Sequence, residues 1–139
     1  METIHIEMKP IEAIRAIATN LAEKIGVPSS RILVPSESPG DGSPHFEIQG
    51  DKYAYVVSER GIETKRRETT SLDELLYWIF AALTHELASD YEISHRIAGE
   101  DSRRLLFSYQ LMLLEMLNPA WALWKKREID VLLARFPFY

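Results

Sequence analysis

The chain contains no cysteine among its 139 residues. That excludes disulfides, thiolate metal sites and a thiol nucleophile, and is compatible with a reducing compartment. No apolar run approaches the roughly 18 residues that span a bilayer, and the opening METIHIEMKP lacks the basic start and apolar stretch of a secretion signal. The expected location is the cytoplasm, with no membrane partner. Glycine is scarce, and its six residues fall where turns and helix ends are expected, so there is neither a phosphate-cradling glycine loop nor a Gly-x-Ser-x-Gly elbow. The four histidines, His5, His45, His85 and His95, make no metal motif: His85-Glu86 opens like a zinc-protease helix, but Ser89 stands where the second histidine would be needed. Carboxylates abound, yet no spacing favours acid–base work over solvation. These absences point away from catalysis and from any metal or cofactor.

What is present is enough for one domain, expected over 1–139. Area scaling predicts that folding hides roughly two-thirds of the unfolded chain's surface. Periodicity divides it into a helix (1–26), a loop (27–44), antiparallel hairpins (45–69) and a three-helix region (71–136). The fold class expected is α+β: an N-terminal helix, a three-stranded antiparallel meander, then three helices packed together. Lys9 to Gly26 carries Ile11, Ile14, Ile17, Ala18, Leu21 and Ile25 at helical spacing, with Gly26 and Pro28 as stops. Prolines, serines and glycines then make a surface loop, broken by Ile32-Leu33-Val34, a run suited to a sheet edge. Ser36 to Pro44 is expected to be its most mobile part. His45–Gln49, Lys52–Glu59 and Ile62–Thr69 read as strands joined by the two-residue turns Gly50-Asp51 and Arg60-Gly61, the last strand being a charged edge.

Ser71 to Gly99 is the longest helical pattern, with Ser71 and Glu74 placed to form a capping box and Gly99 as its stop. Counting 100° per residue from Leu75, Leu83, Leu87, Ile93 and Ile97 form one apolar stripe, and Asp90 falls at about 60°, inside it. A carboxylate there needs a cation. Asp90 is therefore expected to be mostly buried in an ion-pair network with Arg96, Arg103 and Arg104, near Asp101. Trp78 falls well off the stripe, to pack on the strands or face a partner. Asp101 or Ser102 is expected to cap a third helix with the stripe Leu105, Leu106, Tyr109, Met112, Leu113, Met116 and Leu117. Asn118-Pro119 is expected to open a fourth, ending near Arg135. The closing Phe136-Pro137-Phe138-Tyr139 is expected to dock on the core, since exposing its aromatics would forfeit roughly 1.5–3 kcal/mol apiece.

The net charge of −5 is unevenly spread. Residues 71–101 hold seven acids (Asp73, Glu74, Glu86, Asp90, Glu92, Glu100 and Asp101) and one base, Arg96, a formal −6; the remainder is +1. Such a band repels nucleic acid and suits a basic partner, the plainer alternative being a solvated helix face. Lys65, Arg66 and Arg67 resemble a phosphate patch, but Glu59, Glu63 and Glu68 surround them and no aromatics are interleaved, so no nucleic-acid partner is expected.

An ordered set of segments carries a resemblance: YAYVVSERG at Tyr53–Gly61, LDELLYWIF at Leu72–Phe80, ASDYEISHRI at Ala88–Ile97, DSRRLLF at Asp101–Phe107 and NPAW at Asn118–Trp121. Together they resemble the immunity protein 63 family of bacterial polymorphic toxin systems. The resemblance implies a small, non-catalytic cytoplasmic protein that protects its producer by binding the toxin domain encoded beside it. A nuclease toxin commonly presents a basic cleft, and the acids Asp73, Glu74, Glu86, Glu92 and Glu100 are the residues expected to meet it. Two other classes stay open. A small-ligand module would need a pocket, with Tyr53, Tyr55, Tyr77 and Trp78 as candidate lining; an adaptor or oligomeric regulator would bury an exposed apolar patch symmetrically. The oligomeric state is not set by the sequence.

Overall fold

The computed structural model describes residues 10–31 and 41–139; His5, Ile32–Val34 and 36–40 of the expected mobile loop lie outside the described residues. The chain is α+β, with an N-terminal helix, a three-stranded antiparallel sheet and three further helices. It divides into two compact units, one up to Trp78 and one from Ile79 to Tyr139.

In the first unit α1 (Ile11–Glu23) buries Ile14, Ala18 and Ala22, four residues apart on one face. It ends as expected at Gly26, whose φ of +69° lets the Val27 N–H reach back to the Ala22 carbonyl (3.0 Å) and the Gly26 N–H to Glu23 (3.1 Å). This is a Schellman closure, with Val27 buried beside it.

The sheet runs β1 (Asp41–Gln49), β2 (Lys52–Glu59), β3 (Ile62–Thr69), in that order. β1 starts four residues before the expected His45, because Asp41 and Pro44 already pair with Glu59 and Val57; a proline is tolerated there because β1 is an edge strand. At Arg60-Gly61 both residues have positive φ, +52° and +78°, the backbone that a tight primed hairpin turn requires. The β2–β3 register slips between Val57 and Ser58, which leaves Thr64 as the extra residue of a bulge; its hydroxyl donates to the Val57 carbonyl at 3.2 Å. β2 is buried on both faces, through Tyr53 on one and Ala54 and Val56 on the other, whereas β3 is a charged, exposed edge.

α2 (Leu72–Ser94) begins with Ser71 accepting from the Glu74 N–H at 3.1 Å. Six consecutive residues, Leu75 to Phe80, are buried, so this part of the helix is covered all round. Trp78 packs on the strands, edge-on to Tyr55 (6.3 Å) with the Arg67 guanidinium 4.5 Å from its ring centre. Beyond Phe80 the helix buries Leu83, on the expected stripe, and then Thr84, Ala88 and Glu92, roughly opposite the face that starts at Leu75. The expected stripe therefore holds through Leu83 and then gives way to another, and Ile93 and Ile97 are left 66% and 52% exposed. The helix also stops at Ser94, short of Gly99.

In the second unit α3 (Ser102–Leu117) and α4 (Pro119–Arg135) are joined by Asn118 alone. Asp101 caps α3, accepting from the Arg103 N–H at 3.1 Å, and Asn118 caps α4, accepting from Ala120 at 3.0 Å with Pro119 in the first turn. Trp121 stacks on Phe80 with ring centres 5.8 Å apart. α3 buries Gln110, Leu113, Leu114 and Leu117, while Met112 and Met116, expected on its stripe, are about half exposed. The chain's closing residues are only partly docked: Phe138 is half-buried, but Phe136 is exposed and Tyr139 is 84% exposed.

Candidate functional site

Acids and arginines meet around the turn between α2 and α3, though with partners other than those expected. Asp90, expected inside the apolar stripe, is exposed, because α2 has already turned that face to solvent. The buried carboxylates are Glu92, 3% exposed, and Asp101, 2% exposed. Arg96 bonds Glu92 one helical turn earlier with both Nε and Nη2 (3.0 and 2.7 Å), which offsets the cost of burying that carboxylate. Glu92 is thus not the exposed acid that was expected.

Asp101 holds Arg103 through a second bidentate contact, Nη2 to Oδ2 at 2.7 Å and Nε to Oδ1 at 3.2 Å. Those bonds, with the Arg103 N–H and, at 3.4 Å, the Tyr139 N–H, hold the Asp101 carboxyl down at about 2 against an ordinary 3.8. Arg103 turns its remaining donors to the backbone carbonyls of Phe136 (2.8 Å) and Pro137 (3.0 Å). Arg104 finds an aromatic face, lying 4.3 Å from the Phe138 ring centre. Of the five residues expected in one network, Asp101, Arg103 and Arg104 converge on the C-terminal segment, Arg96 serves Glu92, and Asp90 is on the surface.

A second polar contact was not anticipated. Gln110, fully buried, donates from Nε2 to the Ala81 carbonyl (3.0 Å) and to the Thr84 hydroxyl (3.2 Å), and Thr84 donates to the Phe80 carbonyl (2.6 Å). Gln110 sits three residues before Leu113 and four before Leu114, so its helical spacing was the available signal; its polarity hid it. Beside it Tyr91 stacks flat on Tyr109 at 3.9 Å and on His95 at 4.0 Å, with His95 Nδ1 2.9 Å from the Tyr91 carbonyl.

On the sheet, Arg66 lies between Glu47 (2.8 Å) and Glu63 (2.7 Å), which drives its pKa still higher and pulls that of Glu63 below the usual carboxylate range. Arg67 is committed to Trp78. Two of the three cations in the basic run are thus engaged within the sheet unit. Tyr53, Tyr77 and Trp78, candidate ligand-pocket residues, are buried, and Tyr55 is half-buried between Phe46 and Trp78; burial pushes the Tyr55 phenol up, partly offset by Arg67. Among the described residues no three His, Asp or Glu side chains gather in a way that would hold a metal. Nor is any helix there long and apolar enough to cross a membrane.

α2 and the turn after it expose a set of acids. Asp73 and Glu74 in the first turn of α2, Glu86 and Asp90 further along it, and Glu100 in the turn that follows are all exposed. These observations define a small α+β protein whose buried carboxylates, Glu92 and Asp101, are paired with arginines, and whose α2 and following turn expose five acids. A sequence model of the family described as immunity protein 63 matches residues 49–131, more than half of the chain. The chain belongs to the immunity protein 63 family. No curated protein and no solved structure matches it. Membership supports an immunity role and, with it, a non-enzymatic one.

Proposed function

We propose that the chain neutralises a cognate toxin domain of a bacterial polymorphic toxin system by binding it in the cytoplasm, without a reaction of its own. Family membership carries this reading, and the distribution of charge suggests the partner's character. Glu92 and Asp101 are buried against Arg96 and Arg103, and Asp73, Glu74, Glu86, Asp90 and Glu100 are exposed. These five acids attract a basic toxin surface, such as the cleft of a nuclease, and steer its approach. The test is to co-express the chain with the toxin domain encoded beside its gene. Cells that make the toxin domain are expected to survive only when they also make this chain, with a direct complex measurable by surface plasmon resonance. Survival without a complex, or death despite expression, would overturn the reading.

A further inference from the structure

The exposed acids do not stand alone. Glu86, Asp90 and Ile93 follow one another at four and three residues, so they line one face of α2. Past the end of the helix Ile97 and Glu100 are joined by a turn hydrogen bond, Glu100 N–H to Ile97 carbonyl at 3.2 Å, and both border a shallow hollow that Leu105 also lines. Two isoleucines that are each more than half exposed therefore sit within a run whose exposed charges include Glu86, Asp90 and Glu100. Nearby Arg96 is turned to Glu92 and adds no net positive charge once that pair is counted. The carbonyl end of α2 points the same sign of potential toward this segment.

We propose that Ile93 and Ile97 form the contact core of this chain's partner-binding surface, with Glu86, Asp90 and Glu100 as its rim, and that the partner presents lysines or arginines around an apolar hollow. The inference rests on the immunity reading and adds where contact is made. An apolar centre supplies the energy of an interface once water is excluded, while rim charges select the partner and speed its approach. The same charges argue against a second copy of this chain as the occupant. A two-fold contact would bring the patch against itself and set acid against acid.

The experiment is surface plasmon resonance with the toxin domain from the neighbouring gene immobilised. Wild type, an Ile93→Ser/Ile97→Ser double variant and a Met112→Ser/Met116→Ser control are passed over it. The first pair is expected to weaken Kd at least about tenfold, mainly through faster dissociation, and the control to stay within about twofold. Because all four side chains are about half exposed or more, melting temperatures should stay close to wild type. Hydrogen exchange of the wild-type complex gives a readout independent of any variant, with slowing expected across 93–100. Wild-type binding with an unchanged Ile93→Ser/Ile97→Ser variant, or no slowing at 93–100, would overturn the contact core and leave the immunity reading standing. No wild-type binding would overturn both. A wild-type dimer in sedimentation that the isoleucine variant dissolves would replace the basic partner with a second copy.

Discussion

Arg103 lies 2.7 Å from the Asp101 carboxylate, and that same carboxylate accepts Arg103's own backbone N–H. One acid therefore caps α3, fixes the rotamer of Arg103 two residues on, and through that arginine holds the carbonyls of Phe136 and Pro137. Helix start and chain end are tied at a single buried anion.

The anion makes stability depend on pH with a definite sign. The folded state keeps Asp101 near 2 while the unfolded chain titrates near 3.8. The contribution is complete above about pH 4 and is lost as pH falls through about 2. Asp101→Asn should be less stable than wild type at neutral pH, and the gap should narrow between pH 4 and 2. Urea midpoints at pH 2, 3, 4 and 7 test this; a gap that stays constant with pH would refute the assignment.

Gln110 invites a pair of substitutions. Its Oε1 is buried without a partner, and Thr84 keeps its own acceptor at Phe80 if the glutamine is removed. Gln110→Met keeps the volume and deletes the orphaned oxygen, so it should fall within about 1 kcal/mol of wild type. Gln110→Ala empties the site and should cost about 2–4 kcal/mol. Denaturant unfolding distinguishes the two; equal losses would mean that the amide bonds, not the packing, decide.

At the β2–β3 turn Arg60 holds a left-handed backbone, φ +52°, that L-residues other than asparagine and aspartate rarely adopt. Arg60→Asn should raise stability by about 0.5–1 kcal/mol, seen as a higher melting temperature. A decrease would show that the arginine side chain contributes more than its backbone strain removes.

For the acids the expected effect is kinetic. Replacing Asp73, Glu74, Glu86, Asp90 and Glu100 with their amides should slow association with the toxin domain and flatten its dependence on salt, with dissociation changing less. Stopped-flow or surface plasmon resonance at two salt concentrations measures it. An association rate that ignores the substitutions would remove these residues from the approach path.

What could be read from the sequence was the chemistry of helix ends and turns. Gly26, Asp101, Asn118-Pro119, Gly50-Asp51 and Arg60-Gly61 each act through their own backbone or nearest neighbours, and each stands where expected. The faces of α2 were less legible. Counting from Leu75 assumes one buried stripe, but Leu75–Phe80 is buried all round, Leu83 is the last buried member of that stripe, and the burial then passes to Thr84, Ala88 and Glu92. That change moved Asp90 to solvent, Glu92 inside and Ile93 out. Glu92 and Gln110 were missed because a polar side chain bonded one turn away or to a neighbouring helix loses most of its burial cost, and periodicity carries no trace of the partner.

The meander described above also bears on time. β1 pairs with β2 and β2 with β3 across two-residue turns, and α3 packs on α4 across one residue, so these contacts close short loops. Chains dominated by such local pairing reach their native state in about microseconds to milliseconds, whereas a ribosome adds a residue only every ~50–200 ms. A chain with the proposed immunity role would therefore wait on its synthesis and hardly at all on its folding.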